Sequence, residues 1–308
     1  QQQQQQQPNN TNDNNDKVAP IIYLLCRSEE KAQAAIEDIH KSIGESSSSN
    51  SNSIQLTFLE FDAYDDAETI RSSIQLSRAT KIGGILLNAG GFGEATTTID
   101  KKNSSSSNIA QLNIIGHVVL VHHLLSVGKT VKSTRIVAAG SEASFVTPGL
   151  TIDRYKTADF VAHLSPSMSM SKSNRMAIGT EYAWTKGILA LYWAAFARHH
   201  PELFVVTVSP GAVSDTQLLS NVPFLLRAVA RMSQWSCLGG SHTVQEGAKR
   251  CVDALLTATP AESSGDFLAS RKGFSQDFGS VGTLAKGRFV TDVELQDKAW
   301  EAIQKFIE

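Results

Sequence analysis

Tyr182 and Lys186 stand four residues apart in Glu181-Tyr182-Ala183-Trp184-Thr185-Lys186. On a helix that spacing is about one turn, so both side chains share a face. A phenol has a reference pKa near ~10, too high to exchange protons readily at neutral pH. An ammonium a few ångströms away favours the phenolate and lowers that value. A Tyr tuned in this way can act as general acid or base on a carbonyl or an alcohol. The pair alone fits an ordinary helix with an exposed Lys equally well. Its meaning depends on what else the chain carries.

Other residues fall where such chemistry needs them. Asn88-Ala89-Gly90 ends the apolar run Ile85-Leu86-Leu87, where small residues let backbone approach a ligand closely. An ordinary strand-ending turn reads the same way. Asn113 lies in an apolar helical stretch, where burying an amide is costly unless it is hydrogen-bonded. It can bond a backbone carbonyl or hold a water for a proton relay. Ser141 follows Arg135-Ile136-Val137-Ala138-Ala139 and can donate to a substrate oxygen or cap the next turn, with Ser144 as the fallback. Pro210-Gly211 forces a turn after Val205–Ser209, where the Ala212 and Val213 backbone can face an amide-bearing ligand.

The elements that position these residues alternate. The apolar runs Ile21–Cys26, Ile54–Phe61, Gly84–Leu87, Arg135–Ala139, Leu203–Val208 and Asp266–Ala269 have strand length. Helical spacing covers Glu29–Ile43, Ala67–Leu76, Ile109–Leu125, Glu181–His199 and Val244–Ala258. Near-continuous apolar strands between helices predict an α/β fold: a Rossmann-like, doubly wound parallel sheet with helices on both faces. In such sheets ligands bind at the carboxyl ends of the strands. The residues above fall there, or on the helix that follows.

Composition narrows the function classes. The chain has 308 residues, 41% of them hydrophobic, with 28 basic and 30 acidic side chains for a net charge of −2. That balance gives no long-range pull toward nucleic acid or an anionic membrane. Cys26, Cys237 and Cys251 are far apart and odd in number, and the eight His do not cluster at ligand spacing, so no metal is expected. Free thiols suit a reducing compartment. No run of 18 or more apolar residues appears. A soluble intracellular protein is the expectation. Three stretches are of low complexity: Gln1–Asp16, Gly44–Ser53 and Lys101–Asn108. Such compositions bury too little apolar surface to order themselves. The division expected is a low-complexity segment over 1–17 and one domain over 18–308.

The series Asn-Ala-Gly, Asn in a helix, Gly-Ser after a strand, Tyr-x-x-x-Lys and Pro-Gly resembles the short-chain dehydrogenase/reductase family from about Ile21 to Phe306. Leu24–Ala32, Asn113-Ile114-Ile115-Gly116-His117, Glu246-Gly247-Ala248 and Ser264–Phe267 are similar to its retinol dehydrogenase and WW-domain oxidoreductase branch. The resemblance implies a carbonyl–alcohol oxidoreductase. Tyr182 would exchange the proton, with Lys186 lowering its pKa and holding the nicotinamide ribose. Ser141 would orient the carbonyl, and Asn113 would fix a relay water. Pro210, Gly211 and Val213 would line the nicotinamide, Asn88, Ala89 and Gly90 would border the cofactor, and Asp62 would meet the adenine. Arg27 and Ser28 end the second strand of the family's order with no acid at its tip. An Arg there suits a 2′-phosphate, so NADP(H) is the cofactor expected. A solvated surface charge is the other reading of Arg27.

The helices at Ile109–Leu125 and Glu181–His199 often form dimer faces in the family, which makes a homodimer an option. Phe145–Ala177 and Ser214–Gln234 would shape the substrate pocket. Met168, Met170, Met176 and Leu218, Leu219, Phe224, Leu225, Leu226 suggest an apolar lid, and hence a small apolar substrate, or plain packing.

One family feature is not in the sequence. The first strand and its Thr-Gly-x-x-x-Gly-x-Gly turn have no match before Ile21, and the first glycine is Gly44. That turn carries the pyrophosphate at a helix N-terminus. The missing strand would be central, between Ile21–Cys26 and Gly84–Leu87. A start lying upstream of Gln1 is expected. A non-catalytic binding or scaffold protein on the same fold is the alternative. A sugar-nucleotide epimerase also uses Tyr-x-x-x-Lys, but the Asn113 segment and the short C-terminal part speak against it.

Overall fold

The computed structural model describes residues 20–46, 54–78, 80–91, 109–165, 175–211, 213, 242–257, 264–271 and 277–307. Most of the low-complexity residues, Met168, Met170 and the stretch from Leu218 to Leu226 lie outside them, as does the side chain of Met176. The backbone falls into two compact units, Gln1–Asp62 and Ala63–Glu308.

The first unit is a β-α-β crossover. Strand β1 (Ile21–Cys26) leads through helix α1 (Glu29–Ser46) to strand β2 (Gln55–Glu60). The two strands pair in parallel, Ile21 with Gln55 through Cys26 with Glu60. Ser28 starts α1: its hydroxyl accepts from Lys31 N–H at 3.3 Å and its carbonyl from Ala32 N–H at 3.0 Å. Glu29 and Glu30 in the first turn complement the helix dipole. Ile21 and Ile22 remain 45% and 47% exposed, in a strand whose composition suits burial.

The second unit holds helix α2 (Ala67–Ser73), strand β3 (Ile82–Leu87), helix α3 (Gly116–Ser126), strand β4 (Thr130–Ala139) and short helices α4 (Ala143–Val146), α5 (Ile152–Thr157) and α6 (Phe160–Leu164). Helix α7 (Arg175–His199), strand β5 (Phe204–Val208), helix α8 (Val244–Leu256), strands β6 (Phe267–Ser270) and β7 (Phe278–Ser280) and helix α9 (Val293–Ile307) follow. Its sheet runs β3-β4-β5-β6-β7, parallel except for the antiparallel β7. β4 and β5 carry the core. Val137, Phe204, Val206 and Val208 pack with Cys251 and Ala254 of α8 on one face. Side chains alternate along a strand, so Val205 and Thr207 point to the other face. Among the described residues β1 is hydrogen-bonded to β2 and β3 to β4. Leu86 of β3 is 40% exposed.

Two expectations need adjusting. The helix predicted as one piece over Ile109–Leu125 contains a π-helical segment, Gln111–Ile115, before α3 begins. A π-turn inserts one residue into the ladder and often marks a functional site. Here the Gln111 amide donates to the carbonyls of Ala63 and Asp65 at 3.2 and 2.9 Å. A Cβ on Gly116 would sit 2.4 Å from the Ala63 carbonyl oxygen. The close neighbour of Gly116 is therefore a stretch of backbone. Strand β7 and helix α9 had no counterpart in the strand and helix assignments. α9 covers α7: Trp300 stacks on Tyr192 at 5.4 Å and on His199 at 4.2 Å. Every α7 residue from Glu181 to Ala197 is buried within the chain. No described helix is long and apolar enough to cross a membrane.

Candidate active site

Helix α7 places Tyr182 and Lys186 one turn apart, both buried, at 8% and 3% exposure. The Tyr182 phenol is hydrogen-bonded to the Ser141 side chain. The Lys186 ammonium donates to the Ala139 carbonyl at 2.8 Å and lies 5.8 Å from the centre of the Tyr182 ring. The last residue of β4 and the turn after it thus hold the Lys and the Tyr together.

The electrostatics differ from the simple expectation. Burial pushes the Tyr182 phenol up, and the Ser141 hydrogen bond only partly opposes it. Burial pulls the Lys186 ammonium down to about 8. Desolvation penalises the charged form of each group, and here it outweighs the pull of a cation on a phenol. The phenol is kept protonated, as a proton donor requires.

Geometry separates the two serines. Ser141 Oγ accepts from Ala143 N–H at 3.3 Å, and its side chain meets Tyr182. Turn-capping and facing the Tyr182 phenol coexist. Ser144 is fully buried and donates its hydroxyl to the Ser141 carbonyl at 2.8 Å. It therefore shapes the loop and does not face the reacting groups. Tyr155 in turn donates to the Ser144 carbonyl at 3.0 Å, with its ring stacked on Phe289 at 4.5 Å.

Asn113 is fully buried. Its amide donates to the Gly91 carbonyl at 2.8 Å and accepts from Gly91 N–H at 3.0 Å. These two bonds clamp the turn after β3 and use one of the two amide N–H donors and one acceptor site of Oδ1. That clamp brings Asn88-Ala89-Gly90 over the site. A Cβ on Gly90 would stand 2.6 Å from Asn113 Oδ1 and 3.1 Å from Lys186 Nζ. All three turn residues are exposed and open to a ligand.

His117 was not anticipated. It lies one turn beyond Asn113, buried, and burial plus the Lys186 charge pull its imidazole down to about 3. Its Nδ1 makes no hydrogen bond among the described residues. The signal in the sequence was the i, i+4 spacing from Asn113 on an apolar helix.

Pro210 and Gly211 follow β5 as expected. Gly211 has φ +83°, which glycine tolerates at no steric cost, and a Cβ there would stand 2.3 Å from the His242 ring and 3.0 Å from Arg250 Nη1. A Cβ on Gly247 of α8 would press on Val213 at 2.7 Å and on the Pro210 carbonyl at 3.2 Å. The turn is therefore seated on the first turns of α8, whose start carries a Thr243–Glu246 capping box. Ala212 lies outside the described residues.

In the first unit, Arg27 and Asp62 come together, 4.0 Å apart and both accessible at 51% and 31%. Ser28 lies beside them at the start of α1, its hydroxyl oxygen accepting the Lys31 N–H. A separate cleft of about 380 Å³ lies at the amino ends of β5 and β6, lined by Ala194, Arg198, Asp266 and Gln296 among others. Ala194 is twelve residues along α7 from Tyr182, roughly 18 Å at ~1.5 Å per residue, so this cleft is not the tyrosine site.

No protein-family model and no curated protein matches the sequence. Solved structures do match. Salutaridine reductase from Papaver somniferum is 20% identical with a TM-score of 0.52, covering 80% of this chain and 90% of its own. A double mutant of a short-chain dehydrogenase/reductase from Serratia marcescens is 15% identical with a TM-score of 0.52, covering 81% and 84%. A mutant actinorhodin polyketide ketoreductase solved with NADPH is 14% identical with a TM-score of 0.50, covering 79% and 83%. With a mostly parallel sheet flanked by helices, the chain shares the α/β, Rossmann-like fold of the short-chain dehydrogenases/reductases.

Proposed function

We propose that this chain is an NADP(H)-dependent oxidoreductase that interconverts a carbonyl and an alcohol on a small apolar substrate. The observation that carries the reading is the meeting of Ser141, Tyr182 and Lys186 next to the exposed Asn88–Gly90 turn. The residues present suit the nicotinamide cofactor in two separate places. Gly90, Lys186 and the Pro210-Gly211 turn form a small-residue, backbone-rich setting. Arg27 offers an accessible guanidinium for a 2′-phosphate. The polyketide ketoreductase of the same fold was solved with NADPH, which is consistent with that choice.

When bound, the nicotinamide supplies the hydride. The chain supplies the proton and the geometry. The Ser141 hydroxyl orients the carbonyl oxygen. The protonated Tyr182 phenol donates to that oxygen as charge develops on it. Lys186, positive below about pH 8, stabilises the phenolate left behind. Asn113 contributes by fixing the Asn88–Gly91 turn. The likeness of the Asn113–His117 and Leu24–Ala32 segments supports a place near the retinol dehydrogenase branch.

Oxidation of NADPH by the full chain against a panel of aldehydes and ketones tests the mechanism. Activity that survives Tyr182→Phe unchanged would sink it. A non-catalytic binding or scaffold role on the same fold is the second reading. Calorimetry separates the two. Binding of NADPH that Lys186→Met weakens supports the enzyme reading, and no binding supports the scaffold.

A further inference from the structure

Glu142 follows Ser141 directly and is 5% exposed. A buried carboxylate is costly unless it is paired and hydrogen-bonded, so its partners show what holds it there. Its Oε1 accepts from the Ser270 N–H at 3.0 Å, at the end of β6. It is also bonded to the Ser270 and Ser209 hydroxyls and faces the Arg250 guanidinium of α8. Arg250 Nη1 donates to Ser270 Oγ at 3.0 Å, and its guanidinium lies over the Phe278 ring at 4.7 Å. Ser209, itself 2% exposed, accepts from Gly211 N–H at 3.2 Å. One carboxylate therefore reaches the carboxyl ends of β4, β5 and β6 at once. It ties the turn bearing Ser141 to the turn bearing Pro210 and Gly211.

We propose that Glu142 is a positioning residue: it sets the Ser141 hydroxyl against Tyr182 and, through Ser209, fixes the Pro210-Gly211 turn that borders the nicotinamide. The inference rests on the proton-transfer reading of Tyr182. A side chain that only filled space would not need partners at the ends of both β5 and β6. Glu142, Ser209, Ser270 and Arg250 satisfy one another, and the Ser141 and Gly211 backbones follow wherever that cluster sits. Burial pushes the Glu142 carboxyl up, while the Ser270 N–H and hydroxyl and then Arg250 act against it. Arg250, which faces it, is also mostly buried.

The test labels tyrosine with ¹³C at Cζ in the full chain and follows the Tyr182 resonance, assigned by its loss in Tyr182→Phe. That shift reports the hydrogen bonding of the phenol. Ser141→Ala defines the position of a phenol without its Ser141 bond. Glu142→Gln, which keeps the shape and loses the charge, is expected to move the resonance toward the Ser141→Ala position. Glu142→Asp keeps the charge facing Arg250 and so guards against misfolding; its shorter reach should give an intermediate shift. In turnover, kcat of Glu142→Gln should fall roughly 10-fold or more, since misplacing a reacting group by about 1 Å is that costly. Its KM for NADPH should rise as well. In kcat the double variant with Ser141→Ala should fall no lower than Ser141→Ala alone, because that part of the effect runs through Ser141, while the rise in KM for NADPH, which runs through Ser209, should persist. A wild-type resonance in both Glu142 variants, or kcat losses that multiply in the double variant, overturns the inference. Turnover that survives Tyr182→Phe would instead refute the proton-transfer reading, and the resonance would still judge Glu142.

Discussion

Replacing Lys186 with Met should leave a signature in the pH dependence of stability. Lys186 is 3% exposed and its ammonium is pulled from 10.5 to about 8 by burial. The folded state therefore holds this proton less tightly than the unfolded chain. The unfolded state binds more protons between about pH 8 and 10.5, so stability rises with pH across that window. Below pH 8 the protein carries the full penalty, about 3 kcal/mol for 2.5 pKa units at ~1.36 kcal/mol each. From pH 7 to pH 10 the wild type should gain about 2.5 kcal/mol relative to Lys186→Met. At pH 7 the variant escapes the penalty but loses the hydrogen bond to the Ala139 carbonyl, worth about 1.5–3 kcal/mol for a charged donor. The two nearly cancel there, so the absolute difference at pH 7 is uninformative and the slope is the observable. Urea denaturation of both proteins at pH 7, 8, 9 and 10 measures it, and taking the difference removes other titrating groups. Parallel curves would refute the burial argument. They would mean that the ammonium is solvated, and with it the enclosed site. Activity should be lost throughout, so Lys186 would belong to the residues kept for function at no gain in stability.

Three further outcomes follow from particular contacts. Gly90→Ala puts a methyl 2.6 Å from Asn113 Oδ1, which cannot swing away because Gly91 holds it on both sides; about 1–3 kcal/mol of stability should be lost, and NADPH affinity by calorimetry should fall with it. Tyr155→Phe strands the buried Ser144 carbonyl at a cost of about 1–3 kcal/mol, read as a lower thermal midpoint, and kcat should drop several-fold because Ser144 holds Ser141. Arg27→Ala should weaken NADPH roughly 10-fold or more and leave NADH nearly untouched. Its loose, accessible pairing with Asp62 means that thermal stability should not move.

What the sequence disclosed depended on how local the cause was. β4, β5 and α7 were plain because continuous apolar composition reports burial on both sides directly. Tyr182, Lys186 and Ser141 were legible because each sits at a strand end or on one helical turn. The π-segment was not, since its cause is a contact with the Ala63–Asp65 backbone almost fifty residues away. Glu142 was invisible for the same reason: its partners lie on β5, β6 and α8, and a lone Glu after a Ser reads as a surface charge. The sign of the Tyr182 shift failed for a related cause. Spacing tells how near a cation is along a helix but not how dry the site is, and dryness dominates here. Residues read as catalytic from spacing thus need their surroundings before their protonation states can be assigned. In this chain the surroundings favour a neutral phenol beside a Lys that titrates near about 8. On the proposed mechanism such a site gives a proton to a carbonyl oxygen at neutral pH, and the deprotonated phenol needed for the reverse reaction becomes accessible only as pH rises.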